Sequence, residues 1–188
     1  MTPAVVLLHL LNFVFVGLLP LVFFTPGRYS WRWWLTGGPF FVDALLLLAG
    51  FFGVIAPGVP TGRGRAGLEA LSVTLAAGSI ALIAFTLGTH RIPIALWHQA
   101  DDAPRHIVTW GAYGRVRHPF YASFLLALLG AALVCPHPAT AAVLLYGAVA
   151  LNLTAAREEK RLLQSEFGAE YEAYMRRAGR FIPRFRTS

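Results

Sequence analysis

The sequence has a single cysteine, Cys135, and only 9 acidic residues against 16 basic ones in 188 positions. The lone thiol excludes an intrachain disulfide and argues against a metal site built on thiolates. Charge of either sign is scarce at 13% of residues, while 56% are hydrophobic and mean hydropathy is +0.58. That balance excludes an ordinary soluble domain. The net charge of +7 is not spread over a soluble surface but collects between and after the apolar runs. It is therefore read as orienting a membrane protein, and no nucleic-acid partner is expected. The first apolar run lacks a basic flank and a small-residue cleavage site, so it is taken as a retained span and not as a signal peptide.

What is abundant is apolar sequence in runs of about 20 residues, the length a helix needs to cross a bilayer. The runs lie at about 5–24, 40–56, 68–87, 120–134 and 139–156. They predict one all-α domain over 1–188: a polytopic bundle of five transmembrane helices. The fourth run is too short to span unaided, and Cys135-Pro-His-Pro138 turns it into the fifth as a tight hairpin. Past Arg157, the residues Leu163, Phe167, Tyr171 and Tyr174 recur at helical steps, predicting a C-terminal amphipathic cytoplasmic helix. Five crossings place the termini on opposite sides. With the C-terminus in the cytoplasm, 14 of the 16 basic residues fall inside and only Arg63 and Arg65 outside. The expectation is an inner or plasma membrane protein with its N-terminus out and its C-terminus and polar site in the cytoplasm.

Polar residues inside the runs are few. His9 and Asn12 are read as a satisfied polar pair within the bundle. Asp43 is read as an acid stabilised near a helix N-terminus, although a carboxylate at that depth is also a candidate functional group. The aromatic and basic cluster from Thr25 to Trp34 suits the headgroup level. Gly62-Arg-Gly-Arg-Ala-Gly67 matches a dinucleotide fingerprint letter for letter but lacks the strand before it and the acid after it, so it is read as a loop. His90, His98 and His106 show no helical ligand spacing, and no metal is expected.

The densest polar stretch is Gly111-Ala-Tyr-Gly-Arg-Val-Arg-His-Pro-Phe-Tyr121. Pro119 suits the first position of a helix, which puts His118 at the cap and aims the first-turn N–H groups at an anion. Arg117 adds a bidentate fork for a carboxylate. Because the hairpin is antiparallel, Glu158 and Glu159 at the end of its second arm return to the same place. About 100° separates them around the helix, so one of the two is expected to face inward. An anion site beside a carboxylate suits a zwitterion such as an amino acid.

At these residues the chain resembles the isoprenylcysteine carboxyl methyltransferase and phospholipid methyltransferase family. The resemblance rests on Tyr113-x-x-x-Arg117-His-Pro-x-Tyr121 and on Glu158-Glu159-x-x-Leu162. It continues through Glu166-Phe-Gly-x-Glu-Tyr171-x-x-Tyr174 to the closing Arg180-Phe-Ile-Pro183, and the cofactor region it outlines is about 88–185. It implies S-adenosylmethionine at the cytoplasmic end of the last two spans. Arg117 and His118 would hold the methionyl carboxylate or orient the acceptor, and Glu158 or Glu159 would take the amino group or ribose. Tyr113, Pro119 and Tyr121 would complete the binding wall, with Arg117, Glu158 and Glu159 as the catalytic set. A lipophilic or lipidated substrate would enter from the bilayer. Ser123 and Ala112 depart from the family's common Gly and Pro, and Ser123 could narrow the acceptor tunnel. The competing readings are a nicotinamide-dependent membrane reductase of the sterol reductase type and a non-catalytic membrane adaptor.

Overall fold

The computed structural model describes residues 1–23 (18–23 as backbone only), 33–58, 60, 62–89 and 107–184. The expectations for Thr25 to Arg32 and for His90, His98 and His106 lie outside the described residues. Within them the chain is all-helical: α1 (Pro3–Phe23), α2 (Trp33–Phe51), α3 (Arg63–Thr89), a 3-10 turn (Gly111–Gly114), α4 (Pro119–Val134), α5 (Pro138–Leu163) and α6 (Gly168–Arg177). Three helices, α2, α3 and α5, are long and apolar enough to cross a membrane, while α4 and the described part of α1 are apolar but shorter. The protein is thus an integral membrane helix bundle.

Several helix boundaries differ from the sequence expectation. Pro39 lies inside α2 and does not start it, because six residues including Trp33 and Trp34 extend the helix N-terminally. Asp43 therefore sits mid-helix, and the helix-terminus explanation for it fails. The segment from Arg63 to Gly67 is not loop but the first turn of α3, preceded by Gly62 at φ +64°. Helix α5 does not stop where charge begins but runs on through Glu158 and Glu159 to Leu163. The last helix starts only at Gly168, so Leu163 belongs to α5 and is exposed, while Tyr171 and Tyr174 are buried.

The hairpin is built as its prolines dictate. Pro119 opens α4 at its first turn with His118 as cap. Pro138 opens α5, where His137 Nδ1 accepts from the Ala139 N–H and Thr140 Oγ1 accepts from the His137 N–H. Helix α4 packs most extensively on α3, with α1 and α2 completing the bundle.

His9 and Asn12 are not a mutual pair, since each is bonded to α3. His9 Nε2 lies 2.6 Å from Ser72 Oγ, Asn12 Nδ2 donates to the Ala76 carbonyl at 3.5 Å and Ser79 Oγ donates to Asn12 Oδ1 at 3.3 Å. Ser72 in turn donates to the Gly130 carbonyl at 2.8 Å. This crossing needs a residue without a Cβ on α4, because one at Gly130 would come within 2.9 Å of His9 Cε1 and 3.2 Å of the Ser72 carbonyl. Gly130→Val is expected to cost about 1–3 kcal/mol through overpacking, read as a lower midpoint of thermal unfolding in detergent.

Candidate active site

The polar stretch after the 3-10 turn is held by backbone pairing with the C-terminal segment. Gly111 adopts φ +59°, and the Ala112 N–H donates to Thr89 Oγ1 at 3.2 Å, tying the turn to the end of α3. Beyond it, Val116 pairs with Gly179 in a parallel bridge. The N–H groups of Arg117 and His118 donate to the carbonyls of Gly179 and Arg180 at 2.8 and 3.0 Å, and the Gly179 N–H donates to the Arg115 carbonyl at 3.0 Å. A side chain at Gly179 would collide with the Ile182 carbonyl, so glycine is required there. Helix α6 anchors the same turn. Tyr174 is buried and its hydroxyl donates to the Tyr113 carbonyl at 2.6 Å, within a small cluster of Tyr171, Tyr174 and Ala178.

On this frame the two arms of the hairpin meet. Glu159 is buried at 3% exposure. Its Oε1 accepts from Arg117 Nε at 2.9 Å and lies 2.9 Å from the NH2 nitrogen of the same fork. His118 Nε2 and Arg180 Nε approach that oxygen at 3.3 and 3.2 Å. The other oxygen, Oε2, takes the Arg180 NH2 group. Arg117 NH1 donates to the carbonyls of Ala178 and Met175, and Arg180 NH1 donates to Asn152 Oδ1 at 2.7 Å. Glu158 faces the same ring from its other side. Tyr121 donates to Glu158 Oε1 at 2.7 Å, and His118 Nδ1 lies 3.4 Å from Glu158 Oε2. The Tyr121 ring stacks parallel to His118 at 5.4 Å between centroids.

A neutral imidazole has one N–H, yet both nitrogens of His118 face a carboxylate. The ring satisfies both only as the imidazolium. Burial alone would lower its pKa, but hydrogen bonds to Glu158 and Glu159 and their charges outweigh burial and raise it. Glu159 lies one turn beyond the apolar part of α5. Burial would raise its pKa, but hydrogen bonds from His118, Arg180 and Arg117, with the Arg117 charge, bring it down to about 2. Burial, with Tyr174 and Glu158 nearby, pushes the Tyr113 phenol well above its ordinary range.

The signs of these shifts give a pH window. The lowered Glu159 contributes stability that is present above its unfolded value near 4.5 and lost as pH falls toward about 2. The raised His118 contributes stability that is full below its unfolded value of 6.5 and lost as pH rises through the folded one. The contribution of the cluster is expected to be greatest between about pH 4.5 and 6.5. A pH series of unfolding midpoints checks this, and His118→Gln should flatten its alkaline side.

The structure brings Tyr113, Arg117, His118, Pro119, Tyr121, Glu158 and Glu159 together at one end of the bundle. It differs from the sequence expectation in two respects. Both glutamates face the knot and not one, because His118 sits between them and reaches each with a different nitrogen. Arg117 has its fork committed to Glu159 and the Ala178 carbonyl. Sequence reasoning assigned no role to Arg180 or to the pairing of 115–118 with 179–180. The only signal for either was Arg180 at the head of the closing Arg-Phe-Ile-Pro183.

Residues 89–165, about two fifths of the chain, match the isoprenylcysteine carboxyl methyltransferase (ICMT) family. That segment is similar to the ICMT family. The match spans the described site residues from Tyr113 to Glu159 and ends before the strap that carries Arg180. No curated protein and no solved structure gives a significant match. The ICMT family is one of methyltransferases, and the apolar helices agree with a membrane-embedded member.

Proposed function

We propose that the protein transfers a methyl group from S-adenosylmethionine to a lipophilic acceptor, a lipidic carboxylate or amine or a lipidated molecule, that arrives from the bilayer. The observation that carries this reading is His118 bridging Glu158 and Glu159, at 3.4 and 3.3 Å, within the ICMT-family segment. The donor set fits the polar end of that cofactor. A carboxylate offers about four lone-pair positions, and Tyr121 and His118 use two of Glu158's. The remaining ones suit an ammonium or ribose hydroxyl. The Glu158 side chain is 19% exposed against 4% for Glu159, so the ligand is assigned to Glu158 and the scaffold to Glu159.

Bound S-adenosylmethionine would supply an electrophilic methyl group on a sulfonium. Tyr121 and Tyr113 provide aromatic faces that attract such a cation. Arg117, with its fork engaged, acts as a positioning residue and offers a carboxylate only its remaining N–H. Pro119 fixes the start of α4, and with it the angle at which His118 and Tyr121 present their rings. Rate would come from alignment of donor and acceptor, and a carboxylate acceptor would need no general base. Five crossings with the N-terminus out and the site on the cytoplasmic side are part of this reading, supported by the distribution of arginine and lysine.

Titration calorimetry on detergent-purified protein tests it. S-adenosylmethionine is expected to bind saturably and NADPH not to bind. NADPH binding would favour the reductase reading, and binding of neither would favour the adaptor.

A further inference from the structure

The charged cluster of the site is not neutral. Arg117, Arg180 and the imidazolium of His118 are three cations, and Glu158 and Glu159 are the two carboxylates they meet among the described residues. One positive charge is left over in a place where uncompensated charge is disfavoured. An anion from outside the chain would neutralise it.

The two arginines are not equally able to hold that anion. Arg117 is 9% exposed, and all three of its nitrogens are engaged, Nε and NH2 by Glu159 and NH1 by the carbonyls of Ala178 and Met175. Arg180 is 32% exposed. Glu159 takes one edge of its fork, Nε with NH2. The other edge, NH1 with the second N–H of NH2, meets only Asn152 Oδ1 at 2.7 Å among the described residues. Asn152 lies two turns before Glu159 on α5 and is exposed. Its amide brings no charge, and it carries N–H donors of its own. A guanidinium edge beside an amide is a donor set for a carboxylate.

Arg180 is also joined to the carboxylate assigned to the ligand. Glu158 connects to it through His118 and Glu159, by successive contacts of 3.4, 3.3 and 3.2 Å. Phe181, the next residue, meets the His118 ring edge-on at 6.1 Å between centroids, which fixes the strap beside that ring.

Resting on the methyl-transfer reading, we infer that Arg180, with Asn152, binds the methionyl carboxylate of S-adenosylmethionine. The open edge of Arg180 takes the carboxylate, and Glu158 takes the ammonium or a ribose hydroxyl. The buried His118–Glu159 pair lies between these two contacts and keeps them apart. The C-terminal strap thereby supplies a ligand to the site in addition to its backbone frame.

Calorimetry on the purified full-length chain with two probes tests this: S-adenosylmethionine, and its decarboxylated form, which keeps the sulfonium and the amine. The wild type is expected to prefer the first by roughly 10–100-fold. Arg180→Gln should abolish that preference while affinity for the decarboxylated form is kept. Asn152→Asp leaves the Arg180–Glu159 pair in place and sets a carboxylate against the open edge. It should also abolish the preference, and it decides alone if Arg180→Gln does not fold. Equal affinity of the wild type for both probes overturns the assignment and leaves the methyl-transfer reading standing. So does a preference that survives Arg180→Gln, or an equal loss of both probes, which would make Arg180 a structural residue only. Binding of neither probe to the wild type overturns the methyl-transfer reading, and the assignment with it.

Discussion

Glu159→Ala is expected to destabilise the protein by about 3–5 kcal/mol, because it removes a buried anion on which several donors converge. Arg117, Arg180 and His118 all converge on this carboxylate, and the Arg117 and Glu159 side chains are 9% and 4% exposed. Without it the cations repel one another at close range, and the C-terminal strap loses its ion pair to α5 while the Arg180–Asn152 hydrogen bond remains. A fall in melting temperature on the order of 10 °C follows for a chain of this size, with earlier tryptic cleavage at Arg180. Glu159→Gln should fall between, since the amide keeps the shape and one acceptor but not the charge. A melting temperature unchanged in Glu159→Ala would show that the ion cluster does not hold the strap.

Glu158→Ala should do the reverse. Its partners are Tyr121 and one edge of His118, it is partly exposed, and its loss is expected to cost about 1 kcal/mol of stability or less. Its cofactor contact would be a charge-assisted hydrogen bond, worth about 1.5–3 kcal/mol, or roughly a 10–100-fold loss of S-adenosylmethionine affinity. Glu158→Gln should retain part of it. The pair of glutamates thus divides into one residue whose loss is read in stability and one whose loss is read in binding. Cofactor affinity in Glu158→Ala equal to that of the wild type would remove Glu158 from the site.

The meeting of the knot with the Glu pair was legible because two facts sufficed: a proline-bounded turn at 135–138 and the antiparallel return it forces. The spacing of apolar runs likewise gave the hairpin and the helical class. Boundaries were less legible. Trp33 and Trp34 read as headgroup anchors but continue α2, because a proline at an interior position is tolerated in a helix packed on neighbours. The strap was not legible at all. A parallel bridge between Val116 and Gly179 joins residues 63 apart through backbone atoms that carry no sequence signal. Only the collision that a side chain at Gly179 would make explains its glycine. Asp43 was legible as an expensive residue, but its mid-helix depth became clear only once the start of α2 was fixed.

The central claim is that the methyl donor sits between the turn after α3 and the charged end of α5. Photochemical cross-linking of methyl-labelled S-adenosylmethionine to the purified protein, followed by peptide mapping, tests it most directly. The account predicts label on peptides containing 113–121 and 158–159, lost in Glu158→Ala while the protein stays folded. Saturable label confined to α1, α2 or α3 would contradict it.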